Sequence, residues 1–226
     1  MYWQDKGYLL SKVKYNENSI IAEIFTENHG KITGLIFGAS SNKKKNYLQV
    51  GNKLHVNYSS KTENKIGNFK FEIDKILTPL FLDNQKKLAC ILSAMSLIKI
   101  LTVESQENNK IFYSIDNFFD ILNKSYWLKN YILWELEFLK LIGYDLSLKN
   151  LVTKDYVDKA KIYYVKSNNQ KKIIPNYLVD VSLDPKNNDE LIDGLQLVTD
   201  YLNKSILKPN NINHPGMRIN FINLLK

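Results

Sequence analysis

Apolar and polar residues alternate along the N-terminal third of the chain, the pattern of strands with one face buried and one in water. The clearest case is a pair of runs, Ile20–Thr26 and Lys31–Phe37, flanking Glu27-Asn28-His29-Gly30. Asn and Gly accept the positive φ of a tight turn, so this stretch predicts a β-hairpin. Upstream, residues 7–15 predict a first strand, with Leu9, Ser11 and Val13 on one face and Leu10, Lys12 and Lys14 on the other. Downstream, Lys53–Ser59 alternates Leu54, Val56 and Tyr58 with Lys53, His55 and Asn57. Gly67-Asn68 opens a fifth run, in which Phe69, Phe71 and Ile73 alternate with charged residues.

Five short strands in about 80 residues predict a closed barrel, because closure removes exposed edges. A barrel of this size is most often an OB-fold, with an SH3-like barrel as the alternative. Between strands three and four, Gly38-Ala39-Ser40-Ser41 and the triplet Lys43, Lys44 and Lys45 predict a flexible basic loop.

After Pro79 the period changes to that of helices. Helices are predicted over Gln85–Glu104, Ile111–Asn123 and Ser125–Leu141, the last with Trp127, Tyr131, Trp134 and Phe138 in the core and Gly143 as C-cap. Residues 144–188 are irregular, apart from a short hairpin pairing Tyr163-Tyr164-Val165 with Lys171–Ile174. Further helices follow at Asp189–Lys204 and after Pro215. The expected class is α+β: an N-terminal five-stranded OB-fold β-barrel, residues 1–80, then a mostly α-helical domain, residues 81–226, with an irregular insert at about 144–188.

Composition narrows the function. The net charge is +8, and residues 1–80 are the denser cation, with 12 Lys against 7 acids. Such a surface favours polyanions, nucleic acid above all; a compositional bias toward Lys, Asn and Ile is the competing account. The single cysteine, Cys90, rules out an intrachain disulfide and fits a reducing, cytoplasmic setting. Neither a signal peptide nor a membrane span is expected. His29, His55 and His214 have no metal-spaced partners, and no phosphate-binding loop or nucleophile elbow occurs. No catalytic residue, metal or cofactor is therefore expected. The candidates are phosphate-binding cations: Lys12, Lys14, Lys31, Lys43, Lys44 and Lys45. Phe37, Tyr47 and Tyr58 are either base-stacking platforms or barrel core.

The run Thr26-Glu27-Asn28-His29-Gly30-Lys31 with Gly34, Gly38, Ser41 and Leu48-Gln49-Val50-Gly51-Asn52 resembles the N-terminal signature of the bacterial RecO family. Trp134-Glu135-Leu136, Leu139, Ile142-Gly143-Tyr144 and Tyr164-Val165 with Ser167 resemble its helical portion. The resemblance implies an OB-fold and a helical domain in a non-enzymatic recombination mediator that binds single- and double-stranded DNA and anneals strands. It also implies the partners RecR and the acidic C-terminal tail of the single-strand-binding protein SSB, with a functional link to RecA. Lys31 and Lys43–Lys45 match basic positions of the family's barrel, and Lys129 is a candidate contact for the SSB tail. Two departures stand out. Residues 144–188 hold no cysteine or histidine, which excludes the family's four-cysteine zinc site there, and Arg218 is the only arginine. Lysine lacks the bidentate fork of arginine, so weaker or more salt-sensitive DNA binding is expected. Other classes consistent with the residues are a protein adaptor for SSB and RecR that does not bind DNA, and an RNA- or oligosaccharide-binding barrel.

Overall fold

The computed structural model describes residues 1–39, 41–62, 65–157, 160–167 and 170–226. Two compact units divide the chain: Met1–Phe119 with Pro215–Leu225, and Asp120–His214 with Lys226.

The first unit holds the barrel. Its strands are β1 (Tyr2–Asn16), β2 (Ser19–Thr26), β3 (Gly30–Phe37), β4 (Lys53–Ser59) and β5 (Gly67–Lys75), with helix α1 (Asn42–Tyr47) between β3 and β4. They close in the order β1-β2-β3-β5-β4. All neighbours are antiparallel except β3 and β5, which pair in parallel through Gly34–Gly67 and Leu35–Asn68. This closure with a helix before β4 is the OB-fold arrangement, and it sets aside the SH3-like alternative. Leu9, Ile24, Ile36, Leu54, Val56 and Phe69 fill the interior.

Two expectations need correction. Strict alternation along the first strand fails because Leu10 is an extra residue: Leu9 pairs with Ile24 while Ser11 pairs with the adjacent Glu23. Tyr8, Leu9 and Leu10 are consecutively buried because Leu9 faces the barrel interior while Tyr8 packs on Phe112 and Phe119 of a helix outside it. The lysine triplet is not in a flexible loop; it lies in α1. Ser41 caps that helix by accepting from the Lys44 amide, and buried Leu48 anchors its end.

The same unit contains α2 (Gln85–Leu101), most of α3 (Asn109–Leu122), and α8 (Gly216–Leu225), which packs on α2. Cys90, Ile91, Met95 and Ile98 of α2 are buried.

The second unit is built on α4 (Trp127–Leu141), where Tyr131, Trp134 and Phe138 stack in sequence 5.9 and 5.7 Å apart, packed against α7 (Asn188–Tyr201). Gly143 ends α4 at φ +95°, with the Tyr144 amide bonded to the Leu139 carbonyl. Short helices α5 (Leu148–Leu151) and α6 (Asn176–Val179) flank an antiparallel sheet of β6 (Thr153–Val157), β7 (Ala160–Ser167) and β8 (Gln170–Ile174). The expected hairpin is β7–β8, with Tyr163 opposite Ile174; its turn residues Asn168 and Asn169 lie outside the described residues. Strand β6 was not expected. No helix is long and apolar enough to cross a membrane among the described residues.

Candidate nucleic-acid interface

The barrel brings three of the six candidate lysines into one groove. Lys12 and Lys14 reach it from β1, and Lys45 reaches it from α1, over a floor of Ile20, Ala39 and Leu48. Closure of β1 against β2, with Lys14 opposite Ile20, sets one wall, and the capped helix sets the other. Lys14 and Lys45 are exposed and make no ion pair among the described residues. The Lys12 ammonium donates to the carbonyl of Leu48, which ends α1, and partial burial lowers its pKa. Glu17 is the acid on the rim. Phe37 is 55% exposed at the end of β3, but it does not line the groove: Ile20 of the floor pairs with the interior Ile36, so the next pair, Ser19 with Phe37, points to the other face of the sheet.

The remaining candidates are placed differently. Lys44 donates to the Phe37 carbonyl at 2.9 Å and so braces the β3–α1 junction. The side chain of Lys43 lies outside the described residues. Lys31 is half-buried and donates to the carbonyls of Lys99 and Thr102, both at 2.6 Å, where α2 ends. Desolvation lowers its pKa, although Glu23 and Glu104 pull in the opposite direction. In the second unit, Lys129 is buried in the first turn of α4 and pairs with Asp184 at 2.9 Å.

Sequence reasoning missed a second depression on the barrel. There Trp3 stacks on His29 at 4.0 Å and on Tyr58 at 4.7 Å, with Lys65, Glu104 and Glu107 on the rim. Asp5, almost wholly buried, holds His29 Nδ1 at 2.8 Å and accepts from the Asn28 amide. These residues come from the start of β1, the β2–β3 turn and β4, and only closure brings them together. Tyr58 is buried, its hydroxyl accepting from the Gly67 amide. Among the described residues, no three His, Cys, Asp or Glu side chains gather to hold a metal ion.

This arrangement can grip a sugar-phosphate chain without reading bases, because exposed ammonium groups on one groove can meet successive phosphates. Residues 1–75 match the family described as recombination protein O N terminal, and residues 83–170 match recombination protein O C terminal. The DNA repair protein RecO of Rickettsia canadensis is 34% identical over 162 residues, covering 72% of this chain and 66% of that protein. The RecO of Rickettsia peacockii is 35% identical over 64% of this chain and 61% of its own length. This chain thus spans slightly under two thirds of those two relatives. The RecO of Rhodospirillum centenum is 22% identical, over 98% of this chain and 94% of its own length. With both family regions matched in order on a closed OB-fold barrel and the helices after it, the chain belongs to the recombination protein O family.

Proposed function

We propose that this chain is a recombinational DNA-repair mediator of the cytoplasm. It binds and anneals single-stranded DNA and, with RecR, helps load RecA onto SSB-coated strands. Residues 1–80 act as the DNA-binding domain and residues 81–226 as the partner-binding one, and no bond is made or broken by the protein. The observation that carries this reading is the convergence of Lys12, Lys14 and Lys45 on one groove of the barrel. Lys43 and Lys44 of α1 extend the same cationic segment. Lys129 serves the SSB tail by exchange: its partner Asp184 is 59% exposed, so a tail carboxylate can replace it on the ammonium.

The test is a salt titration of single-strand binding with K12A/K14A/K45A. Each phosphate contact contributes about 0.7 to the log–log slope, so the slope falls by about 2 if all three engage. An unchanged slope places the strand elsewhere. A wild-type chain with no saturable binding at near-physiological salt is an adaptor instead.

A further inference from the structure

The sheet β6–β7–β8 stands in the insert where the sequence carries no cysteine, and its surface is strongly basic. Its described side chains include Lys154, Lys161, Lys166, Lys171 and Lys172 against one acid, Asp155. Register sorts them by face. Lys154 lies opposite Tyr163 and Tyr156 lies opposite Lys161, so these four form a checkerboard of cations and rings on one side. Lys172 shares that side and pairs with Asp200 at 3.4 Å. Lys171, on the other side, pairs with Asp155 at 3.1 Å. Lys154 and Lys161 make no carboxylate pair within 4 Å among the described residues.

The rings differ in burial. Tyr163 is 8% exposed and lies beneath Lys161, whose Nζ is 4.8 Å from the ring centre. Tyr156 is 59% exposed, with Lys154 Nζ 5.1 Å from its ring centre. The hydrogen bond and charge of Lys154 lower the Tyr156 pKa. Protection of sheet edges accounts for lysines on β6 and β8 but not for Lys161, which lies on the central strand. An exposed ring on a folded sheet, flanked by two cations without a carboxylate within 4 Å, although Lys161 feels the charge of Asp180, has the two components of a sequence-tolerant single-strand platform: a stacking surface and phosphate partners.

We infer that the Lys154–Tyr156–Lys161 face is a second contact surface for single-stranded nucleic acid, stacking one base on Tyr156 and pairing flanking phosphates with the two lysines. This rests on the reading of the chain as a DNA mediator, and it supplies what annealing needs, a hold on DNA besides the barrel groove.

The experiment titrates full-length chain with oligothymidylate over a salt series. It compares wild type, K154A/K161A, Y156A, Y156F and K12A/K14A/K45A, with folding checked by thermal melts. Loss of both lysines lowers the slope by about 1.4 at 0.7 per contact. Y156A weakens binding about 5- to 150-fold, the equivalent of 1–3 kcal/mol for one stacked base, and Y156F restores it. If the barrel variant loses binding while K154A/K161A and Y156A match wild type, this inference falls and the mediator reading stands. If wild type shows no salt-dependent binding, both fall. Displacement of the oligonucleotide by polyglutamate as readily as by unlabelled DNA overturns nucleic acid as the occupant.

Discussion

The Nζ of Lys31 lies 2.6 Å from the carbonyl oxygen of Thr102, just past the end of α2, and at the same distance from that of Lys99. A cation here satisfies carbonyls that the helix leaves unpaired and meets the negative end of its dipole. The strand is tied further by the Ser105 amide on the Lys31 carbonyl, and the Thr33 amide on Glu104. Lys31→Ala is therefore expected to lower stability by about 1.5–3 kcal/mol, the range for hydrogen bonds to charged groups. The salt slope of DNA binding, measured on the folded protein, should match that of wild type. A slope reduced without loss of stability would reassign Lys31 to phosphate.

A second tie joins the barrel to α3. Lys53 donates to both carboxylate oxygens of Asp116, at 2.9 and 3.0 Å, and the Tyr8 hydroxyl also donates to that carboxylate. The ammonium lies 4.8 Å from the Phe112 ring centre. Lys53 is buried while Asp116 is 35% exposed, so the two are not equivalent. Asp116→Ala strands a buried cation and should cost about 2–4 kcal/mol, whereas Lys53→Met fills the site with an apolar chain and should cost less. Chemical denaturation of both variants checks the order; equal losses would contradict it.

Gly30 and Gly143 both have positive φ, at +69° and +95°, but only Gly30 is also crowded. A Cβ at Gly30 would lie 2.0 Å from the Gln106 carbonyl oxygen, whereas one at Gly143 meets nothing within 4 Å. Gly143→Ala should cost about 1–2 kcal/mol for backbone conformation alone. Gly30→Ala should cost more, since the β2–β3 turn must also move off the Gln106 backbone. Melting curves of the two variants give the comparison.

The hairpin around Glu27–Gly30 was legible because its period and its turn chemistry agree, and the shared face of Lys12 and Lys14 followed from the same period. The helix at Asn42–Tyr47 was not, because three consecutive lysines look the same in a solvated loop and in one capped turn. The tie of Lys31 to α2 was not legible, because its sequence neighbours are strand residues and the helix end that its ammonium meets is about 70 residues away in the chain. Strand β6, only five residues long and carrying two charges, lacks the apolar alternation that marked the barrel strands. The Lys–Tyr checkerboard depends on the register of the β6–β7 hairpin, which composition does not encode.

Tyr177 is fully buried in the second unit, and its hydroxyl has no hydrogen-bond partner among the described residues. Burial, with Glu190 and Asp193 nearby, raises its pKa well above the ordinary 10.0. Folding therefore favours the protonated phenol. Its contribution is fully present below pH 10 and is lost as pH rises toward the folded pKa, because the unfolded chain releases that proton first. Tyr177→Phe removes an unsatisfied buried group, so it should be neutral or stabilising near pH 7 and should flatten the decline above pH 10. Gly194 supplies a control on the same site: a Cβ there would lie 1.9 Å from the Tyr177 hydroxyl oxygen and 2.8 Å from Cζ. Gly194→Ala should destabilise by more than 2 kcal/mol, a typical upper cost for overpacking being about 3. Adding Tyr177→Phe should recover part of that loss, since the nearer contact disappears and the farther remains. Additive effects in the double variant would mean that the hydroxyl and the glycine do not meet.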